Sequence, residues 1–356
     1  MRCKRNSGRF ARRKPRRLHS TLRRNMRKST LDILRCPKCS ASLALETNET
    51  ADDVETGTLR CKECAATYPL TGGVARFVPA ENYAHNFGVQ WNMFSKTQLD
   101  SHSGHPISEN RFDQYTGWRE ADLADRLVLD AGCGAGRFAE VALKRGARVI
   151  AIDFSHAIDA ARANLRDKGD IDFIQADINA LPFAPNTFPL AYCLGVIQHT
   201  PDPAISFRKL ADIVAPGGRL AVDVYPAGWK NIFFVKYWIR PLTRQLSAER
   251  SYRLVEKIFP ILYPVSQVVG RIPRLGHYLR YLIPVVNYEG DYPLDPRQQR
   301  EWALLDTFDM WAPAYDQPQS MAALRGWFEK SGFEDIVTFH KGFFVGRGIK
   351  PTGSRR

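Results

Sequence analysis

The sequence predicts an α/β fold: a mostly parallel sheet covered by helices, preceded by a small cysteine-paired module and interrupted by a helical insertion. Three observations carry this. Short apolar runs alternate with helix-like segments from Arg126 to Tyr225 and resume at Met321, the pattern of a parallel sheet with crossover helices. Two Cys-x-x-Cys pairs stand close together upstream. A long aromatic and basic segment, Ala227 to Pro318, separates the fifth strand-like run from the sixth.

The chain has 356 residues, enough for a large core plus a small module. Its apolar and charged fractions, 44% and 25%, exclude a wholly disordered chain. The net charge of +14 suggests a polyanion partner until it is located. Residues 1–30 hold 13 Lys and Arg and no acid, leaving 38 basic and 37 acidic residues in the rest. Residues 1–28 therefore read as a disordered basic tail, or as an extension upstream of a natural start at Met26. The nearly neutral body argues against nucleic acid. No apolar h-region suggests secretion, and the longest apolar run, Ile258 to Gly270, is too short to span a bilayer. The expected location is cytoplasmic, with peripheral contact at the inner membrane surface through the basic aromatic insertion.

Residues 29–80 read as a zinc ribbon. Cys36 and Cys39 form the first pair, Cys61 and Cys64 the second, with 21 residues between them. Each turn points two thiolates at one ion, and two turns close a tetrahedral Zn2+ site with no position left for water. The alternative is a redox dithiol, which two pairs this close disfavour. The flanks, Leu31 to Leu43, Leu59 to Leu70 and Gly73 to Pro79, resemble the small zinc-ribbon activator subunit of tRNA and release-factor methyltransferases. The resemblance implies a module that contacts a methyltransferase partner, here on the same chain.

Residues 81–226 and 318–356 read as the two parts of a catalytic core. Arg126 to Asp130 is a buried strand that runs into the turn Asp130-Ala-Gly132-Cys133-Gly134-Ala-Gly136-Arg137. A helix and a second strand ending at Asp153 follow. A dinucleotide fingerprint requires glycine where Arg137 stands. The alternating glycines behind an acid instead resemble motif I of class I S-adenosylmethionine-dependent methyltransferases, small-molecule type. The resemblance implies a Rossmann-like seven-stranded sheet and S-adenosylmethionine as cofactor. Asp130, Gly132, Cys133, Gly134 and Gly136 then form its loop, Asp153 holds the ribose, Asp177 and Ile178 read the adenine, and Phe154 and Leu194 are further cofactor-binding candidates. The segment Ala191 to Pro203 is similar to the ubiquinone and menaquinone methyltransferase group, with Pro189 a departure from its usual Asp. Upstream, Phe87, Gln90 and Trp91 either close over the cofactor or pack the ribbon against the core.

A bound sulfonium is already activated, so the chain's task is to orient an acceptor. A base is needed only for a protonated acceptor. His199, at the carboxyl end of strand four where open α/β sheets bind ligands, is the candidate base. Otherwise it packs beside the cofactor. Residues 227–317 are expected to form a helical lid. Trp229, Phe233, Phe234, Tyr237, Trp238, Tyr252, Phe259 and Tyr263 either face an acceptor or fill the lid's own core. Tyr225, Asp306, Asp309 and Tyr315 are candidates to face the acceptor. The leading reading is methyl transfer to a small-molecule acceptor that is lipid-like or glycosidic. The alternatives are RNA methylation, served by ribbon and tail, and a non-catalytic scaffold of the same fold.

Overall fold

The computed structural model describes residues 25–353 apart from 52, 80–81, 229–230 and 232–233. Most of the basic tail, and Trp229 and Phe233 of the insertion, lie outside the described residues. The tail boundary moves, however. Met26 and Arg27 form β1 and are buried, so residues 25–28 belong to the fold.

The ribbon contains β1 (Met26–Arg27), α1 (Lys28–Leu31), β2 (Leu43–Glu46), β3 (Asp53–Val54), β4 (Gly57–Cys61), β5 (Thr67–Thr71) and β6 (Val74–Arg76). Four short helices follow: α2 (His85–Met93), α3 (Asp100–Ser103), α4 (Ile107–Thr116) and α5 (Glu120–Leu123). The core then alternates β7 (Leu127–Ala131), α6 (Arg137–Lys144), β8 (Arg148–Asp153), α7 (Ala157–Leu165), β9 (Ile171–Gln175), β10 (Phe188–Cys193), α8 (Pro203–Ile213) and β11 (Val214–Val224). The insertion carries α9 (Val235–Thr243), α10 (Ala248–Gly270), α11 (Gly276–Leu279) and α12 (Pro296–Trp311). Finally α13 (Met321–Lys330), β12 (Glu334–Lys341) and β13 (Phe343–Ile349) return to the sheet.

Local chemistry explains the starts. Asp202 caps α8 by accepting from the amides of Ala204 and Ile205, with Pro203 in the first turn. Asp295 and Gln298 form a capping box on α12. The strand β9 is buried at every residue, as expected for a strand covered on both faces.

The core order is β9-β8-β7-β10-β11-β13-β12. The strands β7 to β11 are parallel, β13 runs antiparallel to β11, and β12 antiparallel to β13. This is the seven-stranded Rossmann-like sheet expected from the sequence. The order reverses between β7 and β10, which places a crevice at their carboxyl ends.

The ribbon extends the same sheet. Its β6 pairs parallel with β9, and β5, β4 and β2 continue outward. Met26, Leu34, Leu59 and Leu70 of the ribbon share one apolar cluster with Ile150, Ile174 and Phe183 of the core. A buried ion pair crosses the seam: the Asp172 carboxylate on β9 accepts from Arg27 Nε at 2.8 Å, and also from Arg27 Nη2 and the Thr30 hydroxyl. No helix among the described residues is long and apolar enough to cross a membrane.

Candidate active site

The turn after β7 is shaped by glycine. Gly132 has φ +80°, and a Cβ there would sit 2.5 Å from Val196 Cγ2. Gly134 has φ +54°, and its Cβ would stand 3.2 Å from the Trp91 indole, inside the crevice. Its amide donates to Asp153 Oδ2 at 2.9 Å. The amide and hydroxyl of Ser155 donate to Asp153 Oδ1 at 2.8 and 2.7 Å. Burial pushes the Asp153 carboxyl upward in pKa, against the pull of these donors. A carboxylate has about four acceptor positions. Three are used here, so the acid that ends β8 pins the turn and keeps one position for a ligand.

Asp177 caps the short turn Ile178–Ala180 by accepting from the Asn179 amide at 2.8 Å. Beside it, the rings of Tyr83 and Phe154 lie 4.8 Å apart. These groups, with Phe87 and Trp91 of α2, wall one end of a cavity of about 540 Å³.

The other end lies under the insertion. Tyr225, Tyr237, Tyr281, Tyr288, Tyr292 and Trp302 provide its aromatic wall. Arg111 reaches in from α4, donating to Asp223 at 2.6 Å and lying over the Phe343 ring at 4.4 Å. Arg137 donates to Gln98 Oε1 at 2.5 Å and to the Ser108 hydroxyl at 3.1 Å. Asp306 accepts from Gln98 Nε2 at 3.2 Å and from the Tyr288 hydroxyl. Burial, then repulsion from Asp309, pushes the Asp306 carboxyl up to about 7. Asp309 accepts from Gln90 Nε2 at 3.3 Å.

His199 stands where the two ends meet. Its ring lies 5.3 Å from Phe87 and 5.3 Å from Tyr225. Nδ1 is 3.0 Å from the Tyr315 carbonyl. A carbonyl only accepts, so Nδ1 carries the proton in this bond and Nε2 is left with its lone pair in the neutral ring.

Of the residues expected from sequence, Trp91, Gly132, Cys133, Gly134, Asp153, Phe154, Asp177, Ile178, Leu194, His199, Tyr225, Asp306 and Asp309 line the cavity. Four do not. Asp130 is buried beneath the turn beside the Tyr192 hydroxyl, and burial pushes its carboxyl up to about 8. Gly136 meets Leu165 of α7 rather than the cavity. Gln90 is buried and acts through Asp309. Tyr315 contributes its carbonyl to His199 and its ring edge to Tyr83. Sequence reasoning missed Tyr83, Arg111, Arg137 and Tyr288. Arg137 was noticed only as a missing glycine.

The insertion's aromatics divide between the two expected roles. Phe259 and Tyr263 stack at 4.8 Å inside the insertion's own core. Phe234 and Tyr237 line the cavity.

In the ribbon, the four sulfurs of Cys36, Cys39, Cys61 and Cys64 lie within 4.8 Å of one another. Cys36 and Cys64 are 3.6 Å apart, Cys39 and Cys61 3.4 Å. Sulfurs about 2.3 Å from one tetrahedral zinc stand about 3.8 Å apart, so the cluster fits that ion. The Tyr68 hydroxyl, 3.2 Å from Cys36, supports the site from behind.

The family models agree with this geometry. A model described as "Methyltransferase domain" matches residues 129–222. The chain carries a methyltransferase domain. A model described as "Trm112p-like protein" matches residues 27–73, the ribbon. The methyltransferase domain is similar to the ubiquinone biosynthesis O-methyltransferase of Stutzerimonas stutzeri, 36% identical over 122 residues, 33% of this chain and 50% of that one. The Xylella fastidiosa (strain 9a5c) protein of the same name is 31% identical over 151 residues, 40% and 61% of the two chains. The chain thus spans about half the length of the curated relatives it matches. Magnesium protoporphyrin IX methyltransferase from Synechocystis is 15% identical over 75% of this chain and 96% of that one, with a TM-score of 0.42, a likeness that adds nothing to the strand order.

Proposed function

We propose that this chain transfers a methyl group from S-adenosylmethionine to a small-molecule acceptor held under the insertion. One observation carries the reading: a single cavity joins the glycine cradle to an aromatic chamber, with His199 between them. The cradle fits the cofactor because a side chain at Gly134 would fill it. S-adenosylmethionine, when bound, supplies a methyl group already activated on sulfur. In this reading the chain's own groups orient and desolvate. Asp153 and Asp177 hold the polar rims, and Phe87 and Trp91 exclude water. The relatives are O-methyltransferases by name, and a hydroxyl acceptor needs a base. His199 Nε2 is the free lone pair at the junction, and the bond from Nδ1 to Tyr315 fixes the tautomer that leaves it free. The four ribbon cysteines hold one zinc in a structural role. A cytoplasmic place of action at a membrane surface goes with this reading.

Transfer from methyl-labelled cofactor into a cell extract tests it. Label should enter the solvent-extractable fraction. Label confined to ribonuclease-sensitive material would favour the RNA reading, and absence of cofactor binding by calorimetry would leave only a scaffold.

A further inference from the structure

Ten of the fourteen large apolar side chains that are exposed among the described residues lie between 238 and 282. A soluble face rarely gathers so many. On α10 they are organised. Ala248, Ser251, Val255, Phe259, Tyr263 and Ser266 are the buried side of the helix. Leu254, Ile261, Val265 and Val268 point elsewhere, falling within a stripe of roughly 60° at 3.6 residues per turn. Ile261 is 69% exposed and Val268 67%. The helix therefore has two apolar sides, only one of which is covered among the described residues. The neighbours add Trp238 at 70% and Leu242 at 74% from α9, and Tyr278 at 68% from α11.

The charge around this face is mostly positive. Residues 235–285 contain nine Lys and Arg against two Glu; Lys236 and Arg240 turn inward to Asp316, and Arg271 and Arg280 pair with Glu289 and Asp291. On α10, Arg250, Arg253 and Lys257 flank the apolar stripe on one side, within roughly 100° of it on the helical wheel.

We propose that the outer face of α9, α10 and α11 docks on an anionic membrane surface, with the helices lying in the interface. An interfacial helix buries an apolar stripe and aims Lys and Arg at lipid headgroups. Exposed Trp and Tyr suit the same depth. A second copy of this chain is the poorer occupant, because a two-fold contact would set the same basic residues against each other. A continuity supports the membrane. Tyr237 and Tyr281 line the cavity, while the next residues, Trp238 and Leu282, are exposed. The docking face thus adjoins the rim of the chamber, so an acceptor with a lipid anchor would reach the chamber without leaving the bilayer. That last step rests on the methyltransferase reading, whereas the docking does not.

The test uses the full chain with vesicles of phosphatidylcholine alone or with about 30% phosphatidylglycerol. Flotation should show binding to the anionic vesicles, weakened as salt rises from about 0.1 M to about 0.5 M. The variant Ile261→Asp/Val268→Asp should bind about tenfold or more weakly, with unchanged melting and unchanged affinity for S-adenosylhomocysteine. Lipids brominated on their acyl chains should quench tryptophan fluorescence, and Trp238→Phe should reduce that quenching, which a tail bound to headgroups cannot mimic. Equal vesicle binding by the double variant overturns the proposal. So does a wild-type dimer that the double variant converts to monomer without any change at vesicles. Vesicle binding without cofactor binding would refute the methyltransferase reading and leave the docking face standing.

Discussion

Asp153 is the sharpest point at which to test the cradle. In Asp153→Ala three donors lose their acceptor: the Gly134 amide, the Ser155 amide and the Ser155 hydroxyl. A hydrogen bond to a charged group contributes about 1.5–3 kcal/mol, so losing the one position left for a ribose hydroxyl alone weakens binding by roughly 10- to 150-fold. Release of the turn adds to this, because Gly134 and its neighbours must be positioned again on binding. The expected loss for Asp153→Ala is therefore about 100-fold or more. Asp153→Asn separates the two effects. Its carbonyl can still accept from Ser155, but its amide cannot accept from Gly134, so the loss should be intermediate. Calorimetry with S-adenosylhomocysteine measures the affinity, and the melting temperature reports whether the turn still folds. An alanine variant that melts near wild type and binds within about threefold of it would show that the ligand does not sit at this carboxylate.

Three further outcomes follow from the site and the seam. The Asp306 carboxyl, raised to about 7 in the fold, holds its proton more tightly than in the unfolded chain, so its contribution to stability is greatest at low pH and is lost as pH rises through that value. Asp306→Asn should therefore melt increasingly above wild type between about pH 4 and pH 7, levelling off above that, and a pH-independent difference would refute the shift. His199→Ala should lower turnover of a hydroxyl acceptor by about 100-fold or more while cofactor affinity stays the same; a purely packing role would instead weaken the cofactor and spare turnover at saturation. Arg27→Ala takes the cation from the fully buried Asp172 carboxylate, leaving it the Thr30 hydroxyl, and should cost about 3–5 kcal/mol in denaturant unfolding, with ribbon and core lost in one transition.

Much of the core was legible because its signals are local. Glycines between a strand and a helix, acids at strand ends and paired cysteines report geometry within a few residues. The four cysteines gather as their spacing predicts, and Asp153 and Asp177, singled out by resemblance, line the cavity. The chamber was not legible in this way. Arg111 enters from α4, Tyr288 from the loop before α12, and Arg137 from the first turn of α6. No periodicity links residues whose only relation is to face one cavity. The role of Asp130 was misjudged for a related reason, since motif spacing locates the turn but not which side chains turn inward beneath it. The seam was missed as well. Met26 and Arg27 look like the end of a basic tail, and only the buried Asp172 on β9 reveals what Arg27 pairs with.

The ribbon's place on the sheet suggests how a zinc held by its cysteines would bear on the active site. An uncovered β9 would be an open edge strand, and the parallel pairing with β6 closes it. The contact also reaches the cavity. Arg76 of β6 donates to Gln175 Oε1 at 2.8 Å, and Gln175 Nε2 donates to the Phe154 carbonyl at 3.3 Å. Phe154 is on the cavity wall beside Asp153. The ribbon is a small module, so a zinc on its four thiolates would contribute folding energy. Pure protein should contain about one zinc per chain, and a chelator that removes it should loosen β6 before the core melts. Hydrogen exchange should then rise first in β4, β5 and β6 and next in β9, and the affinity for S-adenosylhomocysteine should fall about tenfold, as Phe154 loses its hold through Gln175. Metal-free protein with unchanged exchange in β9 and unchanged cofactor affinity would reduce the ribbon to an appendage, contrary to the shared sheet.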